Sequence, residues 1–140
     1  EFSGFLEDEL TVLEPTHDRV MATSLTAQWR YTHTDIDWDA VYAGVKAAMI
    51  ERFANLQSLA LQQTLYAMGA AVLEKYPYIA EIRMSAPNKH HFLYDTGRFG
   101  VENRNEVFNA DDRPYGLIQA TVEREDAPEA GSAWRTFQSM

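Results

Sequence analysis

Residues 38–76 read WDAVYAGVKAAMIERFANLQSLALQQTLYAMGAAVLEKY, and this stretch decides the fold. Its first part carries apolar residues at three- and four-residue spacing, which is typical of a helix that buries one face. These residues are Trp38, Val41, Tyr42, Val45, Ala48, Met49 and Phe53. The second part repeats the pattern with Leu61, Leu65, Met68, Val72 and Tyr76. We therefore predict two consecutive helices, Trp38–Phe53 and Ser58–Tyr76.

The ends of the predicted helices carry recognisable signals. Asp37 and Ser58 are residue types that commonly cap a helix at its amino end. Pro77 cannot continue the second helix, because its preceding residue is forced out of helical geometry. The two helices are therefore expected to be separate and joined by a short loop.

Strand patterns flank the helices on both sides. The expected strand regions are Phe5–Leu13, Met21–Thr32, Glu81–Tyr94 interrupted at Pro87, and Gly116–Glu125. Residues 95–114 predict a long loop with a short strand around Val107 and Phe108. The resulting order is ββααββ, an α+β fold with an antiparallel four-stranded sheet and two helices on one face. We expect residues 1–125 to form this unit and residues 126–140 to form a tail docked by Trp134 and Phe137.

Composition excludes several classes of function. The 140 residues carry a net charge of −9, which disfavours nucleic-acid binding in the absence of a basic patch. The chain has no cysteine, so thiolate catalysis, disulfides and cysteine metal sites are excluded. No apolar run is long enough to span a membrane. An anionic ligand would have to be held by a few well-placed donors.

Five segments, in order along the chain, resemble the urate oxidase family. They are Phe2-Ser3-Gly4-Phe5-Leu6-Glu7-Asp8-Glu9, Asp18-Arg19-Val20-Met21-Ala22-Thr23, Leu61-Gln62-Gln63-Thr64-Leu65-Tyr66, Ser85-Ala86-Pro87-Asn88-Lys89-His90-His91-Phe92 and Arg113-Pro114-Tyr115-Gly116-Leu117-Ile118. Ser3 and Ala86 depart from the Trp and Leu that are common in the family. The resemblance implies the tunnelling fold, or T-fold. It also implies that the chain is the second of two such units in a subunit, and that subunits assemble as a homotetramer.

The resemblance assigns four residues to substrate binding. Arg19 corresponds to the cation that grips the edge of the urate anion, and a guanidinium fork suits that task. Gln62 and the N–H of Leu61 read the same edge from the first turn of the second helix, where free N–H groups favour an anion. Phe2 corresponds to the ring that stacks under the purine.

Two further residues are assigned to the chemistry. Asn88 corresponds to the amide that holds O2 or water above the substrate; without the resemblance it would be read as a turn residue after Pro87. His90 corresponds to a proton-relay histidine, while Lys89 and His91 are expected to be structural.

The implied reaction is oxidation of urate by O2 to 5-hydroxyisourate and hydrogen peroxide, with neither cofactor nor metal. The family's relay lysine and threonine belong to the first unit of a neighbouring subunit, and nothing in this chain replaces them. We therefore expect the isolated chain to be inactive. The chain ends in Gln138-Ser139-Met140 rather than a peroxisomal signal, which predicts a cytoplasmic protein.

Two alternatives remain open at this stage. One is a pterin-handling T-fold enzyme, although such sites use metal-binding His clusters or Cys, and this chain has only His17, His33, His90 and His91. The other is a non-catalytic T-fold module that contributes sheet surface to an assembly.

Overall fold

The computed structural model describes residues 3–17 and 19–135. Its elements are β1 (Thr26–Tyr31), α1 (Trp38–Asn55), α2 (Leu61–Lys75), β2 (Ile79–Pro87), β3 (His90–Leu93), the short 3-10 helix Gly97–Phe99, β4 (Phe108–Asp111) and β5 (Leu117–Glu123). The α+β prediction is confirmed.

The chain divides into two compact units. The first comprises the described residues of Glu1–Ser24 and Ala86–Ile118, and it contains β3 and β4. The second comprises the described residues of Leu25–Ser85 and Gln119–Met140, and it contains both helices and β1. Among the described residues, no helix is both long enough and apolar enough to cross a membrane.

Both predicted helices are present. The side chain of Asp37 caps α1 as predicted, accepting a hydrogen bond from the N–H of Ala40 at 3.0 Å. The prediction that Ser58 caps α2 is wrong, because the N-cap is Ala60. Ser58 instead donates to the Ala60 carbonyl at 2.9 Å and accepts from Thr64 Oγ1 at 2.6 Å, so its hydroxyl is already committed.

The main sheet has the strand order β1-β2-β5. β1 runs antiparallel to β2, with Trp29 opposite Ile82. Trp29 lies 5.9 Å from Tyr42 of α1, measured between ring centroids. On α2, a Cβ at Gly69 would fall 3.1 Å from the Met84 methyl carbon, and Met84 shares its face of β2 with Ile82. The two helices therefore cover the same face of the sheet, as predicted.

Two sequence predictions about strands are wrong. Among residues 3–17 and 19–135, the main sheet has three strands rather than four, because the predicted first strand does not form; β3, expected to continue the strand before Pro87, pairs with β4 in a separate two-stranded sheet. The segment Phe5–Leu13 is not a strand. The Asp8 side chain accepts from the N–H of Leu10 at 2.9 Å, and the Asp8 carbonyl accepts from the N–H of Thr11 at 3.1 Å. This local turn takes backbone groups that a strand would offer to a neighbour.

The opposite face of the sheet carries an ionic cluster centred on the buried side chain of Glu81. Glu81, only 3% exposed, accepts from Arg83 Nε at 2.7 Å, from Arg30 Nε at 3.4 Å and from Trp134 Nε1 at 3.0 Å. Arg30 also donates to the Pro128 carbonyl at 2.8 Å. These contacts fasten the carboxy-terminal segment to the sheet, as predicted for Trp134. Phe137 lies outside the described residues, and the division of the chain at residue 125 stays a prediction.

Candidate functional site

Three of the residues assigned from the sequence lie in the first unit, and one aromatic ring connects two of them. The guanidinium carbon of Arg19 lies 6.0 Å from the centroid of the Phe92 ring, at the outer range of a cation–π contact. The His90 ring stacks on the same residue, with centroids 5.7 Å apart and planes 11° from parallel. Arg19 and His90, which lie far apart in the sequence, thus share Phe92 as a neighbour.

Strand geometry explains why His90 and Phe92 meet. They stand two residues apart on β3, so their side chains emerge on the same face while that of His91 emerges on the other. His91 Nδ1 lies 3.2 Å from the Lys89 carbonyl, a local contact consistent with the structural role expected for both residues.

A second contact fixes the His90 ring and its proton. His90 Nε2 lies 2.7 Å from the Pro114 carbonyl oxygen. A carbonyl can only accept, so Nε2 carries the hydrogen and donates it. In the neutral ring, Nδ1 is then the nitrogen that can take up a proton. The geometry therefore gives His90 a defined orientation and a defined basic atom.

The backbone of Asn88 is held from two sides. Its N–H donates to the Gly116 carbonyl at 2.8 Å, and Asn88 forms an isolated antiparallel bridge with Thr23. The next residue continues this contact, since the N–H of Lys89 donates to the Ala22 carbonyl at 3.0 Å. Asn88 is therefore anchored by tertiary hydrogen bonds, which a simple turn residue after Pro87 does not require.

Buried hydroxyl groups without partners occur in the same unit. The Oγ1 atoms of Thr23 and Thr16 are inaccessible to solvent and have no hydrogen-bond partner among the described residues. Leaving a buried hydroxyl unpaired typically costs about 1–3 kcal/mol. Thr23 is the more notable of the two, because it stands opposite Asn88.

Leu61 and Gln62 begin α2 in the second unit. Helix geometry leaves their N–H groups without an intrahelical acceptor, and the first turn of α2 contains no acidic residue. The approach to the helix is ordered by side chains: Gln63 Oε1 accepts from the N–H of Leu59 at 2.9 Å, and buried Thr64 donates to Ser58. The amino end of α2 is therefore a fixed set of donors suited to an anion.

The assigned residues thus fall into three groups. Arg19, Asn88 and His90 lie in the first unit, Leu61 and Gln62 lie in the second, and Phe2 lies outside the described residues. Phe92 was not among the site residues predicted from the sequence. Its same-face spacing from His90 was the available signal, whereas its contact with Arg19 depends on the tertiary fold.

Comparison with known proteins decides the family. The uricase family model matches residues 1–119. The chain is 54% identical to the uricase of Arthrobacter globiformis over 134 residues, covering 96% of this chain and 44% of that protein. It is 37% identical to the uricase of Dictyostelium discoideum over 123 residues, covering 88% of this chain and 43% of that protein.

The chain belongs to the uricase family.

Solved uricase structures agree with this assignment. The crystal structure of the Arthrobacter globiformis uricase matches with a TM-score of 0.84 and 52% identity, covering 96% of this chain and 47% of that one. A uricase from Bacillus fastidious matches with a TM-score of 0.67 at 22% identity, a likeness that shows the fold alone. The T-fold prediction is confirmed, and the pterin-handling alternative is set aside. The chain spans less than half the length of the uricase relatives that it matches.

Proposed function

We propose that this chain supplies the substrate-binding part of a urate oxidase site. Membership of the uricase family supports the reaction class, and the observation that carries the proposal is the joint contact of Arg19 and His90 with Phe92. It brings the residue assigned to anion binding and the residue assigned to proton transfer onto one aromatic ring.

Substrate binding is proposed to rest on charge and hydrogen bonding. The guanidinium of Arg19 donates two parallel hydrogen bonds to the anionic edge of urate, a geometry that a planar fork provides. The side-chain amide of Gln62 and the N–H of Leu61 read the purine edge, and the amino end of α2 adds a favourable field for negative charge. Phe2 supplies the stacking ring.

The chemical step is proposed to be a two-electron oxidation. The bound urate anion gives two electrons and one N–H proton to O2, which takes a second proton from solvent and leaves as hydrogen peroxide. Water then adds at C5 of the oxidised purine and gives 5-hydroxyisourate. Asn88 holds O2 or water above the purine, and His90 Nδ1 takes up the proton that the attacking water releases. Positioning and fixed dipoles supply the acceleration, with no cofactor or metal.

A complete site is proposed to need a further T-fold unit in addition to this chain. The resemblance assigns a relay lysine and threonine to the first T-fold unit of a neighbouring subunit, within a homotetramer. This chain covers 44% of its Arthrobacter globiformis relative, and we expect the remaining part to carry those groups. The isolated chain is therefore predicted to be inactive. The tetramer and a cytoplasmic location remain predictions.

The test uses a completed protein, defined as this chain joined to the part of the Arthrobacter globiformis uricase that the match leaves uncovered. We expect it to consume urate and O2 and to release hydrogen peroxide, whereas the chain alone does not. Arg19→Ala and Gln62→Ala are each expected to weaken binding of the urate analogue 8-azaxanthine. Arg98→Ala is the matched control, because Arg98 makes a similar cation–π contact, with its guanidinium carbon 4.9 Å from the Phe99 ring.

Two results would count against the proposal. Turnover of urate by the isolated chain would show that no further T-fold unit is needed. Analogue binding that is unaffected by both Arg19→Ala and Gln62→Ala would leave a non-catalytic assembly module as the remaining reading of this chain.

A further inference from the structure

We propose that Phe92 is a positioning residue that sets the orientation of both Arg19 and His90. This inference rests on the proposed function and extends it to a residue that would act through Arg19 and His90. Its observation is independent of the resemblance: the ring contacts of Phe92 are a feature of the fold of the first unit.

The backbone of Phe92 is well placed for this role. It lies on β3, which pairs antiparallel with β4, and Phe92 stands opposite Asn109. A residue within a strand pair has little freedom at its Cα, so the ring is a fixed reference for its neighbours. Phe92 is 38% exposed, which is too much for a residue whose main task is to fill a core.

Contact with Phe92 restricts the Arg19 guanidinium. Arginine loses considerable rotamer entropy when it is fixed, and contact with an aromatic ring offsets part of that loss before the anion arrives. A guanidinium that is already oriented forms its two hydrogen bonds at a smaller entropic cost. Loss of the ring should therefore weaken substrate binding and raise KM.

The stack with Phe92 restricts the His90 ring differently. The hydrogen bond from Nε2 to Pro114 fixes one atom, and the stack at 11° fixes the plane. Together they determine where Nδ1 points. Proton transfer requires that atom within hydrogen-bonding distance of the reacting group, so a rotated ring should lower kcat.

The test compares Phe92→Leu with Phe99→Leu in the completed protein. Both changes remove an aromatic ring beside an arginine in the same unit, but Phe99 is 66% exposed and its cation–π partner is Arg98. We expect Phe92→Leu to raise KM about fivefold, the loss of a ~1 kcal/mol cation–π contact, and to lower kcat about tenfold through misplacement of His90. Phe92→Tyr keeps the ring and should restore both constants to within about twofold, while Phe99→Leu leaves both unchanged.

A spectroscopic measurement tests the geometry without turnover. In the completed protein labelled at histidine, the ring-proton resonances of His90, identified by their loss in His90→Asn, should be displaced upfield by the stacked Phe92 ring. They should move downfield in Phe92→Leu and stay in place in Phe99→Leu and Phe92→Tyr. The upfield displacement can also be measured in the unsubstituted protein, so this test does not depend on the folding of Phe92→Leu.

The outcomes separate this inference from the proposed function. Absence of urate consumption by the unsubstituted completed protein overturns the proposed function, and the positioning role with it. Urate consumption with Phe92→Leu behaving like Phe99→Leu overturns the positioning role alone. So does a His90 resonance with no upfield displacement. A loss of activity that Phe92→Tyr fails to restore also overturns it, because the ring itself would then not be what matters.

Discussion

Gly69 of α2 lies so close to Val122 of β5 that a Cβ on Gly69 would fall 2.6 Å from Val122 Cγ2. The absence of a side chain at residue 69 therefore sets how closely α2 approaches the sheet. Since α2 begins with Leu61 and Gln62, this contact also helps to fix how the proposed anion-binding end of the helix is held against the sheet.

Gly69→Ala is accordingly expected to destabilise the completed protein. In an open helix the change would stabilise by up to about 1 kcal/mol. Here the overlap should outweigh that gain and lower the free energy of unfolding by about 1–3 kcal/mol. Thermal unfolding measures the change. Gly116→Ala is the control, because the one described atom within 4 Å of a Cβ there would be the Asn88 Cβ, at an ordinary 3.7 Å. A variant at residue 69 as stable as the control would contradict the close packing.

Thr23 and Thr64 offer a matched pair of substitutions to valine. Thr64 is buried and donates to Ser58 Oγ at 2.6 Å, so Thr64→Val should cost about 1–3 kcal/mol of stability. Thr23 Oγ1 is buried without a partner among the described residues, so Thr23→Val should leave the unfolding free energy unchanged or raise it. Chemical denaturation of both variants distinguishes these cases. Equal losses of stability would show that the Thr23 hydroxyl is hydrogen-bonded after all.

Arg124 should be essential at the end of α2. Its Nε donates to the Ile79 carbonyl at 2.9 Å, and its guanidinium also reaches the carbonyls of Tyr76 and Leu73. Helix geometry leaves the carbonyls of the last turn without intrahelical donors. Arg124→Met removes these hydrogen bonds and is expected to lower the unfolding free energy by about 2–4 kcal/mol, counting roughly 1 kcal/mol or more per hydrogen bond to a charged donor.

The control for Arg124→Met is Arg104→Met. Arg104 forms an ion pair with Glu102 at 3.5 Å in which both side chains are largely exposed, so its loss should change stability little. Similar midpoints for the two variants in urea would show that Arg124 does not secure the end of the helix.

Glu81 should make stability depend on pH. Burial raises the pKa of the Glu81 carboxyl, but hydrogen bonds from Arg83 and Trp134, the Arg83 charge and the Arg30 hydrogen bond together outweigh burial. The pKa therefore lies below its ordinary value of 4.5. Because the folded-state pKa is lower than the unfolded one, this contribution to stability is complete above about pH 4.5 and is lost as the pH falls through the folded-state value.

Glu81→Gln is then expected to cost about 1–3 kcal/mol near pH 7, since it removes the charge that pairs with Arg30 and with the partly exposed Arg83. The difference from the unsubstituted protein should shrink as the pH falls below about 4.5. Unfolding measured across this range tests the prediction, with Glu102→Gln as a surface control that shows no such trend. A difference that stays constant with pH would contradict ionised Glu81 as the centre of the cluster.

The helices were predictable from the sequence because their determinants are local. The spacing of apolar residues indicated the buried face of each helix, and Asp37 supplied a recognisable cap for the first. Phe5–Leu13 is not a strand because Asp8 closes a local turn with Leu10 and Thr11, which the apolar residues of the segment do not indicate. The sequence of residues 81–94 did not predict that β3 would leave the main sheet, because an alternating pattern indicates a strand but not the strand with which it pairs.

The candidate site was predictable only in part. The resemblance assigned Arg19, Asn88 and His90 to the candidate site, and all three lie in one unit of the fold. Phe92 contacts Arg19, and Thr23 pairs with Asn88. Both contacts join segments that are far apart in the chain, so no local sequence pattern predicts them. In the same way, the cluster around Glu81 depends on strand register and on the return of Trp134 to the sheet, neither of which a local pattern indicates.

The most direct test of the central claim is a crystal structure of the completed protein with 8-azaxanthine bound. We expect the Arg19 guanidinium and the Gln62 side-chain amide both to lie within hydrogen-bonding distance of one edge of the same purine. An analogue bound elsewhere, or touched by only one of these two side chains, would contradict it.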